Sequence, residues 1–213
     1  MLNTGLSLMR FATVLIMMFT FSVNTQAKWE EASAVIETST HEMLKILEHE
    51  ELLVEEQQEN LLSELDMALS PVVDFDYISK VVMGKYYRRA SDEERSAFSG
   101  VFKTTLLKTY AKAIVGFKIE KYEIVRPQKR SPSPKKQIVN VNVFAADGTK
   151  YSLVYYMKKG EDGWRLVNAL LDGINLRLTF KNQFADMVQK NRGDVGAVIS
   201  SWKEKVDPGK SEA

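Results

Sequence analysis

Three stretches between residues 138 and 171 decide the fold: Ile138-Val-Asn-Val-Asn-Val-Phe-Ala145, Lys150-Tyr-Ser-Leu-Val-Tyr-Tyr-Met157 and Trp164-Arg-Leu-Val-Asn-Ala-Leu-Leu171. In the first, Val139, Val141 and Val143 alternate with Asn140 and Asn142, a period of two that puts the valines on one face of a strand. Tyr151, Leu153, Tyr155 and Met157 share a face in the second, with Ser152 and Lys158 opposite. Asp147-Gly148 and the run Gly160 to Gly163 supply tight turns between the three, which predicts consecutive antiparallel strands. Ile119 to Val125 is a fourth candidate, β-branched and aromatic in composition. The expectation is a four-stranded antiparallel sheet with one face made for a core or a cavity.

On both sides of these strands the period changes to that of a helix. From Trp29 to Leu69 apolar positions recur at three- and four-residue spacing, through Leu44, Leu47, Leu52, Leu61, Leu65 and Leu69, with a break near Glu50 to Val54. Ser70-Pro71 ends that run, and Asp74 or Asp76 can cap the next helix, which carries Ile78, Val81, Val82 and Met83 to Gly84. Ser91 and Glu94 have the spacing of a capping box ahead of a long helix with Phe98, Phe102, Leu106, Tyr110 and Ile114, for which Gly116 is a stop. After Gly173 the helical period returns with Leu176, Phe180, Phe184 and Met187, then a short helix around Val195 to Trp202. The chain therefore reads as an α+β domain, helical over 28–116, with a sheet over 117–172 and closing helices over 173–205.

The first 27 residues stand apart. Arg10 precedes the apolar run Phe11 to Val23, and small residues fall at Thr25 and Ala27. This reads as a cleaved export signal, since the run is shorter than the ~20 apolar residues a membrane span needs. The mature chain would be 28–213, freely diffusing after export. It contains no cysteine, so an oxidising compartment could add no disulfide.

The whole sequence has 29 basic and 28 acidic residues, which excludes a strong net attraction to nucleic acid. The distribution is uneven: up to Asp76 there are 14 acidic and three basic residues, and from Tyr77 onward 14 acidic and 26 basic. The most biased segment runs from Arg126 to Lys136, with Arg126, Lys129, Arg130, Lys135 and Lys136, three prolines and no acid. It reads as an exposed connector and a docking patch for an acidic partner or anionic headgroups.

Catalytic chemistry is sparse. His41 and His49 lie eight apart on an acidic helix, not at the four-residue spacing that lets two imidazoles share a metal. No glycine-rich phosphate loop is present, and both histidines lie in the first mature helix, so the serines of the rest of the chain have no histidine near them in sequence to activate them. No metal, no cofactor and no enzymatic activity are expected. Aromatic surface is abundant instead, with Tyr77, Tyr86, Tyr87, Tyr110, Tyr151, Tyr155 and Tyr156 on the central elements, an apolar body with a polar tip suited to the mouth of a greasy pocket.

The string Phe75 to Ala90, FDYISKVVMGKYYRRA, resembles the Leu/Met-Gly-x-Tyr-Tyr helix of the MlaC or toluene-tolerance family of periplasmic phospholipid carriers. Ser91 to Phe98 and Phe102 to Tyr110 are similar to that family's next helix. Asp162 to Leu176 and Phe180 to Phe184 are similar to its last strand, turn and closing helix, so the resemblance spans roughly Ala34 to Val206. Three positions depart from the family pattern: Asn168 where Asp is expected, Asp172 where Glu is usual and Asn175 where Ser is usual.

The resemblance implies a nuclear-transport-factor-like, or cystatin-like, cone whose cavity takes acyl chains. It implies a monomeric shuttle between an outer-membrane lipoprotein complex of the MlaA type and an inner-membrane ABC transporter with its MCE-domain subunit. Facing and resemblance together predict the cavity wall from Val82, Tyr86, Phe102, Leu106, Tyr110 and Ile114 on helices. On strands they predict Val139, Val141, Val143, Leu153, Tyr155, Trp164 and Leu166. Two other readings remain at this level: a lipid-free adaptor of a transport system, and an enzyme on a similar cone with Asp76 or Asp172 as acid or base.

Overall fold

The computed structural model describes residues 28–115, 119–128, 131 and 133–205. The export signal over 1–27, the stop at Gly116, Lys129, Arg130 and Val206 lie outside them, as do the side chains of Tyr110 and Ile114. Helix α1 occupies 28–48, followed by 3-10 turns at Glu50–Leu53 and Glu55–Gln57 and by α2 at Gln58–Leu69. Then come α3 (Phe75–Met83), α4 (Asp92–Val115), β1 (Ile119–Val125), β2 (Lys136–Ala145), β3 (Lys150–Lys159), β4 (Trp164–Leu171), β5 (Ile174–Asn175), α5 (Leu176–Lys190) and α6 (Val195–Lys205).

The helix starts follow the local chemistry read from the sequence. Of the two candidate caps for α3, Asp74 takes the position, its Oδ1 accepting from the Tyr77 amide at 3.0 Å. The capping box at α4 closes in both directions: the Glu94 amide donates to Ser91 Oγ at 3.1 Å and the Ser91 amide to Glu94 Oε2 at 2.8 Å. Each satisfies an amide that the first helical turn would otherwise leave unpaired. At the end of α3, Gly84 has φ +55°, and a side chain there would also meet Lys181 Cε at 3.2 Å from its Cβ.

The sheet is a simple antiparallel meander in the order β1-β2-β3-β4-β5. It has five strands among the described residues, not the four expected. The chain turns back at Asp172 (φ +47°) and Gly173 (φ +84°), pairing Leu171 with Ile174 and Leu170 with Asn175. A two-residue strand has no period to read, so only the closed turn reveals it. In the β2–β3 register Val139 faces Tyr155, Val141 faces Leu153 and Val143 faces Tyr151, as the alternation predicts. A bulge in β3–β4 falls between Tyr156 and Met157.

Three buried clusters result. One joins α3, α4, α5 and α6 around Phe98, Phe102, Phe180, Phe184 and Trp202. A second lies between α1 and one face of the sheet. A third, smaller one packs Ile46, Leu61, Leu65, Leu107 and Ala111 between α1, α2 and α4. Among the described residues no helix is long and apolar enough to cross a membrane.

Candidate functional site

The sheet contributes its apolar face as a continuous surface. Val139, Val141, Val143, Met157 and Trp164 are buried there, and Tyr122, Ile124, Tyr151, Leu153, Tyr155 and Leu166 are partly buried against them. Helix α1 roofs this face with Ala32 and Ile36, which are four residues apart and so project from the same side.

Polar contacts fix the roof at its N-terminal end. Trp29 Nε1 donates to the Ile138 carbonyl at 2.9 Å. Glu31 accepts from Lys159 Nζ at 2.5 Å, Trp164 Nε1 at 3.0 Å and Lys28 Nζ at 3.2 Å. These donors, Lys159 first, hold the Glu31 carboxyl at about 2, well below its usual 4.5. Glu30 pairs with Arg126, whose guanidinium also lies 4.6 Å from the centre of the Trp29 ring.

The wall expected from sequence is divided between two clusters. Its strand members Val139, Val141, Val143, Leu153, Tyr155, Trp164 and Leu166 come together under α1. Val82, Tyr86 and Phe102, 1, 8 and 1 % exposed, belong instead to the helical cluster, with Leu106 packed against it. Leu166 touches both clusters and is their junction. Sequence reasoning did not place Ala32, Ile36, Tyr122 and Ile124 on this apolar surface. The four-residue spacing in α1 and the alternation in β1 carried the signal for them. Of the basic connector, Arg126 is engaged with Glu30 and Trp29, while Lys135 and Lys136 are exposed.

The acids considered for catalysis have structural partners. Asp76 Oδ1 accepts from Ser99 Oγ at 2.6 Å, and Asp172 Oδ1 accepts from the Ser152 amide at 2.7 Å. Asp74 and Asp76 line a polar groove of about 600 Å³ with Ser99, Lys103 and Arg165. Lys103 also forms an ion pair with Asp66 at 2.6 Å. Burial works to raise the Asp66 carboxyl, but Lys103 and the Ser70 hydroxyl outweigh it and hold it below its ordinary value. No three His, Asp or Glu side chains among the described residues gather to hold a metal ion.

The departures from the family pattern have local explanations. Asn175 caps α5, accepting from the Leu178 amide at 3.1 Å, as a serine would. Asn168 is buried opposite Tyr156, and its Oδ1 has no hydrogen-bond partner among the described residues. An ionised Asp at that position would cost more than the neutral amide.

The architecture is that of an α+β protein with an apolar sheet face roofed by helix α1. Residues 37–204 match the family described as MlaC protein, and the chain belongs to that family. It is 29 % identical over 180 residues to the toluene tolerance protein ttg2D of Pseudomonas putida, covering 84 % of this chain and 83 % of that one. It is 28 % identical over 120 residues to the intermembrane phospholipid transport system binding protein MlaC of Haemophilus influenzae, covering 54 % and 55 %. Its structure is similar to that of a phospholipid-binding protein from Ralstonia solanacearum solved in complex with a phospholipid. The TM-score is 0.74 at 25 % identity, over 82 % of this chain and 96 % of that one.

Proposed function

We propose that this chain is a periplasmic phospholipid carrier, exported by residues 1–27 and acting as the mature chain 28–213. It shuttles lipid between an outer-membrane complex of the MlaA type and an inner-membrane ABC transporter with its MCE-domain subunit, and so maintains lipid asymmetry. The observation that carries this reading is the likeness, over nearly the whole of the solved chain, to a protein holding a phospholipid. The physical need agrees. An acyl chain of about fifteen methylenes gains ~12 kcal/mol on leaving water at ~0.8 kcal/mol each, so crossing an aqueous compartment requires a carrier of comparable apolar surface.

The acyl chains, in this reading, lie in a cone-like cavity between sheet and helices of the nuclear-transport-factor-like type. Val139, Val141, Val143, Leu153, Tyr155, Trp164 and Leu166 form its strand wall, and Tyr110 and Ile114 extend it from α4. Val82, Tyr86, Phe102 and Leu106 support it from the helical core. Transfer needs no covalent step, and no enzymatic role is proposed. Lys135 and Lys136, with Lys129 and Arg130, meet an acidic partner, whereas Arg126 is spent on α1.

Native mass spectrometry of the purified mature protein tests the reading. Copurification or uptake of phospholipid is expected; a well-folded protein that does neither overturns it.

A further inference from the structure

A corner of the molecule remote from the basic connector combines two features that the proposed function has not used. The first is apolar: Leu171, Ile174 and Leu178 are 36, 50 and 51 % exposed. They are contiguous, because Leu171 and Ile174 are register partners across β4–β5, and Leu178 lies in the first turn of α5 with its amide on the Asn175 cap. The tip is held rigidly. Asp172 exchanges two hydrogen bonds with Ser152, donating its amide to the carbonyl at 2.8 Å and accepting at Oδ1 from the amide at 2.7 Å. A fixed tip has little ordering entropy to lose when it is covered.

The second feature is electrostatic. Lys181 lies one helical turn beyond Leu178, on the same side of α5, and its Cε reaches Gly84 at the end of α3. Lys85, Arg88 and Arg89 follow directly in the chain. All four are exposed, and none forms an ion pair with any described residue. The tip also carries one carboxylate, Asp172, and the hydrogen bond it accepts from the neutral Ser152 amide does not cancel its charge. The corner therefore presents a net positive charge, four cations against the one tip carboxylate, beside exposed aliphatic groups.

We propose that this corner docks on an anionic lipid bilayer, with Leu171, Ile174 and Leu178 dipping into the interface and the four cations meeting headgroup phosphates. The proposal rests on the carrier reading and deepens it, since Leu171 pairs with Leu153 of the apolar sheet face and the tip stands at the edge of that surface. Size favours a bilayer over a rigid protein partner. The three side chains expose on the order of 200–300 Å², against the ~800 Å² that each side of a stable protein interface buries. Shallow insertion of a few aliphatic groups, reinforced by cations near anionic headgroups, is how weak and reversible membrane association arises.

Co-flotation of the purified protein with vesicles of phosphatidylglycerol and phosphatidylethanolamine tests this. The protein should float at low salt, sink as salt is raised, and float far less with phosphatidylcholine alone. Two variants separate the components: Ile174→Ser with Leu178→Ser, and Lys85→Gln with Arg88→Gln, Arg89→Gln and Lys181→Gln. Each should lower vesicle binding by about tenfold or more, and the second set alters only exposed side chains, so it should fold even if the first does not. A protein that ignores anionic vesicles, equal flotation with phosphatidylcholine, or unchanged binding by the charge variant overturns the proposal. Phospholipid occupancy, read by native mass spectrometry on the same samples, keeps the two readings apart. Lipid-loaded protein that does not float overturns only the docking surface; protein that floats yet never holds lipid overturns only the carrier.

Discussion

In the helical core Phe98 meets Phe102, Phe184 and Trp202 with ring centroids 5.6, 4.7 and 5.1 Å apart, the last two edge to face. In the sheet core the corresponding surface is mainly aliphatic. Tyr151, Leu153 and Tyr155 on β3 are only partly buried, and one helix, fastened at its end by Glu30, Glu31 and Trp29, forms the roof. Interlocked rings have few alternative arrangements, so the first core is a scaffold whose geometry is fixed. A surface of branched aliphatics under a roof tied by exposed ion pairs and two partly buried indole hydrogen bonds can open at lower cost, because exposed ion pairs are worth little individually. The two cores thus differ in how firmly they are held: one fixes the shape, and the other is the one that would open to lipid in the proposed carrier.

The largest effect should come from breaking the scaffold. Phe184 is fully buried and touches Tyr86, Phe98 and Trp202, so Phe184→Ala should cost ~3–5 kcal/mol in denaturant unfolding. Overfilling the sheet core should do less to stability and more to function. Val141→Trp is expected to lose ~1–3 kcal/mol while phospholipid occupancy by native mass spectrometry falls much further. Full loading of that variant would remove Val141 from the wall and weaken the division drawn here.

Smaller again is the loss of a helix cap. Asp74→Ala removes the acceptor of the Tyr77 amide and should cost ~1 kcal/mol by thermal melting. The subtlest effect concerns the roof. The Glu31 carboxyl is lowered from 4.5 to about 2 by Lys159, Trp164 and Lys28, so its stabilising contribution is complete above its unfolded value and is lost as pH falls from there through about 2. Glu31→Gln should therefore flatten the decline of stability with acidification over that window, measured by denaturation at successive pH values. An unaltered pH profile would mean that the clamp on α1 does not contribute.

Much of the architecture was legible from residues alone because its causes are local. The valine–asparagine alternation fixed the facing of β2, the Asp147-Gly148 turn and the Gly160 to Gly163 turn fixed the meander, and Ser91 with Glu94 marked the start of α4. β5 was not legible, since two residues display no period and depend on the turn at Asp172 and Gly173. Nor was the split of the expected wall. Phe102 and Val141 both read as buried apolar positions, and hydrophobicity is non-directional. It says that each side chain leaves water without saying which neighbours it finds.

What the sequence determined by itself, then, is which face of each element is apolar, where helices begin, how the strands alternate and, through the spacing of Met83-Gly-Lys-Tyr-Tyr87 and its companion segments, the family resemblance. Tertiary structure decided which apolar faces meet. It sent Val82, Tyr86 and Phe102 to the aromatic core, left the strand valines beneath α1, spent Arg126 on Glu30 and Trp29, and gathered Lys181 beside the cations that follow Gly84. The physical reason is that periodicity and capping act within a few residues of the chain, whereas packing partners and charge clusters depend on how elements distant in sequence are brought together.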